Sequence, residues 1–370
     1  MPDSDYSDKD PSINVLFDVL TTLLAILRQL EHSSRFMSPA SITEIATDLQ
    51  RMHQVSTEVL TQLLSLELSA KPLATLSSDL ESALKLFLDN TAEIRSKKAE
   101  EIEFTMLFRA LGSRSQICPI LYPYAGTIGL IHDYFLDERR LGKPSKIEPI
   151  LSNQQTNVEP GIHHIENERH QKGGFSLYIP ETYDSRKSYP LVMALHGGSG
   201  HGSRFLWSWI RTARSEDLVL VTPTAVGGTW AIMGQDFDSP NLERILAMVQ
   251  ASIGVDTKKL LLTGMSDGGT FTYTSGCLDS SPFTHLAPFS ASFHPMITEF
   301  MSSERLQGLP IYISHGALDW LFTVDVAQMA EYTLSASGAN VTYREISDLA
   351  HTYPEEENPN LVDWFLQTDA

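Results

Sequence analysis

Lys259-Leu260-Leu261-Leu262-Thr263-Gly264-Met265-Ser266-Asp267-Gly268-Gly269-Thr270 is the stretch on which the reading of this chain turns. An apolar run of strand character breaks into Gly-x-Ser-x-Gly, and the TFTYTSG that follows can continue as a helix. A serine on so sharp a strand-to-helix turn has its hydroxyl thrust above the sheet edge, and glycines two residues to either side let the backbone close that tightly. Ser266 is therefore the candidate nucleophile.

Outward from this turn, the chain from about 173 onward alternates short aliphatic runs with helical stretches. FSLYIP, PLVMAL, LVLVTP, LAPFSASF, PIYISHG and VTYREI are the runs besides the one before Ser266. Apolar strands separated by helices predict an α/β domain over 173–370, with a doubly wound, mostly parallel sheet covered on both faces. Leu191–Leu195 ends in His196-Gly197-Gly198-Ser199-Gly200. Acyl transfer places negative charge on a carbonyl oxygen, which two backbone N–H groups can stabilise. Asp267, next after the nucleophile, and Gly198, in the glycine-rich loop, are the candidate donors. A phosphate-loop reading of the same glycines lacks the Lys-Ser/Thr that should follow.

A serine hydroxyl needs a general base, and the base needs an orienting acid. Pro310–Ser314 leads into His315-Gly316-Ala317-Leu318-Asp319, and Val341–Ile346 into Ser347-Asp348-Leu349-Ala350-His351. Asp319 and His351 thus stand just past the carboxyl ends of strands, the edge where open α/β sheets gather their sites. Asp348 competes as a local partner of His351, and His294 as a base. Asp325 reads as a solvated helix residue, and His196 and His315 as loop pins. His163, His164 and His170 read as solvated, with no metal-ligand spacing around them, and neither a metal nor a cofactor is expected. Of the aromatic residues near these loops, Trp320, Trp230 and Trp207 are the candidates for a substrate pocket.

The first 150 residues have another texture. Apolar residues at three- and four-residue spacings predict helices near 12–32, 41–68, 73–111 and 124–140, with Ser41 and Glu44 as a capping box. Residues 151–172, rich in Pro, Asn, Gln and Gly, read as a linker. The first helix carries Leu16, Phe17, Leu20, Leu23, Leu24 and Leu27, more apolar surface than one stripe needs. Either a cap over the Ser266 edge or a second copy of the chain would cover it, and a homo-oligomer through these helices is expected. The run Ile13–Leu30 reads as a buried helix rather than a membrane span, since Asp18 and Arg28 interrupt it.

With 27 basic against 46 acidic side chains the net charge is −19, which argues against a nucleic-acid or anionic-membrane partner. Two distant cysteines, Cys118 and Cys277, offer no disulfide framework, and the acidic N-terminus is unlike a signal peptide, so a cytoplasmic location is expected.

Together, FSLYIPETYDSRKSYPLVMALHGGSG, TGMSDGGT, SHGALDWLF and AHTYPEEENPNLVDWF resemble serine esterases of the α/β-hydrolase superfamily, in the polyhydroxybutyrate depolymerase, feruloyl esterase and phospholipase/carboxylesterase group. The resemblance spans about 174–368. It implies Ser266 as nucleophile, Asp319 as acid, His351 as base, and Gly198 with Asp267 as oxyanion donors. Lacking a Lys/Arg cluster near these residues, the chain is expected to take a neutral or apolar-acyl ester. A carbon–carbon bond hydrolase of the same fold and a non-catalytic interaction protein are the alternative functions.

Overall fold

Why the N-terminal helices stop where they do is visible in their hydrogen bonds. The computed structural model describes residues 11–141, 158–294 and 303–368. The chain divides into two compact units between Phe135 and Leu136. The boundary expected near 150 and the segment 151–157 of the expected linker lie outside the described residues.

The first unit holds α1 (Pro11–Arg35), α2 (Ile42–Leu64), α3 (Lys71–Thr91), α4 (Phe104–Leu111), α5 (Ser113–Leu121) and α6 (Gly129–Tyr134). The helix expected over 73–111 is two, α3 and α4. The amide of Gln50 on α2 donates to the carbonyls of Ile94 (3.0 Å) and Lys97 (2.9 Å), capturing acceptors in the break between them. Pairing of His53 with Thr91 at 2.7 Å sets α2 and α3 antiparallel. Between the expected helices lies α5, which the sequence reading passed over, and the segment expected at 124–140 contracts to the six residues of α6. Ser41 does precede α2, but its hydroxyl turns back to the carbonyls of Phe36 and Ser38, so the capping box does not form.

By length and composition α1 could cross a membrane. Leu16, Leu20, Leu23, Leu24 and Leu27 are nevertheless buried inside the protein, while Ile13 and Phe17 are exposed. Most of the apolar surface that called for a cover is therefore covered within the chain.

The second unit runs β1 (Gly161–Ile165), β2 (Phe175–Ile179), β3 (Tyr189–Leu195), α7 (Gly202–Phe205), α8 (Ile210–Ser215), β4 (Val219–Pro223), α9 (Asp238–Ser252), β5 (Val255–Met265), α10 (Asp267–Gly276), β6 (His285–Phe289), α11 (Ser303–Leu306), β7 (Pro310–Gly316), α12 (Val324–Ala336), β8 (Asn340–Ile346) and α13 (Asn358–Gln367). The eight strands form one sheet in the order β1-β2-β4-β3-β5-β6-β7-β8. From β4 to β8 every pairing is parallel, and β1 and β2 join antiparallel. Met193, Val221, Leu262 and Ile313 pack with Ile245 and Val249 of α9 and Leu334 of α12. Val192, Leu220 and Leu261, on the alternate face, are also buried, as a sheet covered on both sides requires.

The expected linker over 151–172 is thus structured in part, since it contains β1. Gly161-Ile-His-His-Ile165 shows no alternation, so only its pairing with β2 makes it a strand. Of its histidines, His163 bonds the Glu159 carbonyl and His164 the Ser176 hydroxyl, each at 2.7 Å. Two of the three residues read as solvated are therefore engaged.

Candidate active site

β5 delivers Ser266 at φ 56°, ψ −118°, backbone that side-chain-bearing residues rarely adopt. The turn closes only over glycine. A Cβ on Gly264 would stand 2.4 Å from the Gly268 carbonyl oxygen, and one on Gly268 would stand 2.5 Å from that of His196. The Ser266 N–H donates to Phe289 (2.9 Å), and its carbonyl accepts from the Thr270 N–H (2.8 Å), so the strained residue is clamped from β6 and from α10.

The loop after β8 brings His351 to the serine, Nε2 to Oγ at 3.0 Å. On the other side of the ring, Nδ1 meets Asp319 Oδ2 at 2.8 Å. A carboxylate only accepts, so Nδ1 carries the proton and Nε2 presents a lone pair to Ser266. Asp319 Oδ1 accepts the N–H groups of Leu321 (2.9 Å) and Phe322 (2.8 Å). Burial by itself would raise the pKa of Asp319. Hydrogen bonds from His315, His351 and the Phe322 N–H outweigh it and hold the carboxyl well below the usual range. His315 Nε2 lies 2.7 Å from the Phe322 carbonyl and 3.3 Å from Asp319 Oδ2, and so pins the loop that carries the acid.

The competing residues are placed elsewhere. Asp348 is exposed, and the Nδ1 it would need is held by Asp319. Asp325 lies exposed in the first turn of α12, and His294 is exposed. Among the described residues, no group of three or more His, Cys, Asp or Glu side chains is arranged to hold a metal ion.

β3 ends at the glycine loop, which packs against the serine turn. Gly197 and Gly198 approach it closely: a Cβ on Gly197 would lie 3.6 Å from Ser266 Cβ, and one on Gly198 would lie 2.8 Å from Asp267 Oδ2. Asp267 opens α10, so its N–H has no partner within the helix. His196 fastens the loop from within. Its Nδ1 donates to the Gly197 carbonyl (2.7 Å), its Nε2 accepts the Ala225 N–H (3.1 Å), and its own carbonyl accepts the Trp230 indole N–H (2.7 Å).

A cleft of about 540 Å³ opens beside this loop, lined by Gly198, Thr229, Trp230, Met233, Phe237 and Asp267 among others. Most of its wall comes from the segment between β4 and α9, which sequence reading had flagged only through Trp230. Of the three tryptophans expected at a pocket, only Trp230 is placed there. Trp207 is buried, and Trp320 stands 43 % exposed beside Asp319; neither lines the cleft. Asp238 holds the segment in shape, accepting the N–H groups of Val226 and Ala231 at 2.8 Å each. The chain carries no local signal for that role, because a carboxylate opening a helix is commonplace.

Residues 237–368 match the family model described as phospholipase/carboxylesterase. Over 196 residues the chain is 28 % identical to a bifunctional acetylxylan esterase/xylanase of Neocallimastix patriciarum, covering 52 % of this chain and 28 % of that protein. It is 30 % identical over 123 residues to a probable feruloyl esterase C of Aspergillus terreus, covering 31 % and 45 % respectively. The chain therefore spans less than half the length of these relatives. Among solved structures, the fluorophosphonate-binding serine hydrolase F of Staphylococcus aureus aligns with 57 % of this chain and all of its own, at 17 % identity and a TM-score of 0.46.

Proposed function

We propose that the protein hydrolyses carboxylic esters through an acyl-enzyme on Ser266, a reading supported by the match of residues 237–368 to the phospholipase/carboxylesterase family model. The observation that carries this is the unbroken chain of hydrogen bonds from Ser266 Oγ through His351 to Asp319, whose carboxylate two backbone N–H groups hold in place. In this reading Ser266 Oγ attacks the ester carbonyl while His351 Nε2 takes its proton, and Asp319 stabilises the imidazolium. The N–H groups of Asp267 and Gly198 receive the oxyanion. His351 then returns the proton to the leaving alcohol, and water repeats the sequence on the acyl-enzyme.

Trp230, Met233 and Phe237 in the cleft wall support a substrate with an apolar or aromatic portion. The relatives are named for feruloyl and acetylxylan esters, which makes sugar esters of small or aromatic acids the first substrates to assay.

A fluorophosphonate label and a set of p-nitrophenyl acyl esters test the proposal. Wild-type protein should be labelled and active, while Ser266→Ala should lose labelling and about 10⁴–10⁶ in kcat. Labelling or turnover that survives in Ser266→Ala overturns the assignment.

A further inference from the structure

Ester hydrolysis at Ser266 uses only the backbone N–H of Asp267, which leaves its side chain to be accounted for. Its Oδ2 accepts the Thr229 hydroxyl at 2.6 Å and stands against Gly198, so the carboxylate sits where α10, the glycine loop and the β4–α9 segment converge. The lining of the cleft includes two acidic side chains, Asp238 and Asp267, and no basic one. Asp238 is 2 % exposed and both its oxygens accept backbone N–H groups. The charge presented to a bound molecule is therefore that of Asp267.

A carboxylate beside the site where an oxyanion forms opposes the reaction for every substrate alike. It also discriminates, because a second charge brought into the cleft meets it in a partly desolvated setting where Coulomb interactions are strong. We propose that the Asp267 carboxylate is a specificity-determining group of this site, favouring esters that place a cationic or hydrogen-bond-donating group in the cleft and rejecting those that place a carboxylate or phosphate there. This rests on the esterase reading of Ser266.

The test compares kcat/KM for esters differing in charge, with acid release followed at constant pH. On the acyl side the set is methyl butyrate, methyl hydrogen succinate and the methyl ester of 4-trimethylammoniobutyrate. On the alcohol side it is the acetates of 3,3-dimethylbutanol, 4-hydroxybutyrate and choline. Asp267→Asn preserves an oxygen for Thr229 and removes the charge. On at least one side, its anionic-to-neutral ratio should rise about tenfold over wild type and its cationic-to-neutral ratio should fall by a similar factor. Ratios cancel any loss common to all substrates. Thr229→Val keeps the charge and removes the hydrogen bond, so its ratios should stay near those of wild type. Added salt should shrink the wild-type discrimination.

Ratios that Asp267→Asn leaves within twofold of wild type on both sides overturn the proposal, as do ratios that Thr229→Val moves equally far. Wild-type protein that is neither labelled by fluorophosphonate nor active on any of these esters overturns the esterase reading itself, and the proposal falls with it.

Discussion

His196 makes the glycine loop sensitive to acid, and the size of the effect follows from its surroundings. The ring is 2 % exposed, and its Nε2 accepts the Ala225 N–H, so an added proton would set two donors face to face. Burial pushes its pKa from the ordinary 6.5 down to about 4. Between these values the unfolded chain binds a proton that the folded protein refuses, so stability rises with pH across the window. The contribution is whole above pH 6.5 and is lost as pH falls toward 4. A difference of about 2.5 pH units is worth about 3 kcal/mol, of which about 2 kcal/mol has gone by pH 5. His196→Gln retains an acceptor for Ala225 but gives up the bond to Gly197, a loss of about 1–2 kcal/mol at pH 7.5. Since glutamine does not titrate, that deficit should close as pH is lowered and vanish near pH 5. Urea unfolding of both proteins at pH 7.5, 6 and 5, followed by near-ultraviolet circular dichroism, measures it. A deficit that stays constant across the three pH values would show that His196 does not couple folding to protons.

Three further substitutions probe the acid, its competitor and a buried carboxylate outside the site. Asp319→Asn should cost roughly 10⁴ in kcat, because an amide stabilises neither the required tautomer nor the imidazolium, whereas the exposed Asp348 should tolerate Asn with about full activity; equal losses would reassign the acid. Asp137 is buried, with Thr212 bonded to one oxygen and no partner on the other, and burial raises its pKa to about 6. Its charge therefore destabilises the fold above pH 6 and ceases to do so below about 4. Asp137→Asn should gain about 1–2 kcal/mol at pH 7.5 and progressively less as pH falls toward 4 in thermal or urea unfolding, and a gain independent of pH would be evidence against a buried charge.

Sequence disclosed the parts of the site that depend on short-range geometry. The need for glycine at 264 has a steric cause within five residues, the Gly268 carbonyl oxygen that crowds it, while Gly268 is crowded by the His196 carbonyl of the glycine loop. Asp319 and His351 were legible because each follows a strand closely, and parallel strands bring those ends to one edge. What escaped was fixed by partners distant in the chain. The break after α3 is sealed by Gln50, some forty residues earlier, and β1 exists through β2. Trp320 neighbours the acid in sequence, yet it does not line the cleft, whose wall comes from a glycine-containing segment shaped by Asp238. Adjacency in sequence was a poor guide to the pocket and a good one to the strand ends.

Ser266 and His351 hang from β5 and β8, with β6 and β7 between them. Met265 is level with Phe289, Phe289 with Ser314, and Gly316 with Ile346. The 3.0 Å contact between serine and imidazole is thus the closing link of a ring built from three strand pairings. A slip of one residue in any of them would displace a partner by about 3.3 Å and turn its side chains to the opposite face. The Ser266–His351 contact therefore serves as a gauge of sheet register: a mispaired sheet could still bury its aliphatic side chains, but it could not bring these two side chains together.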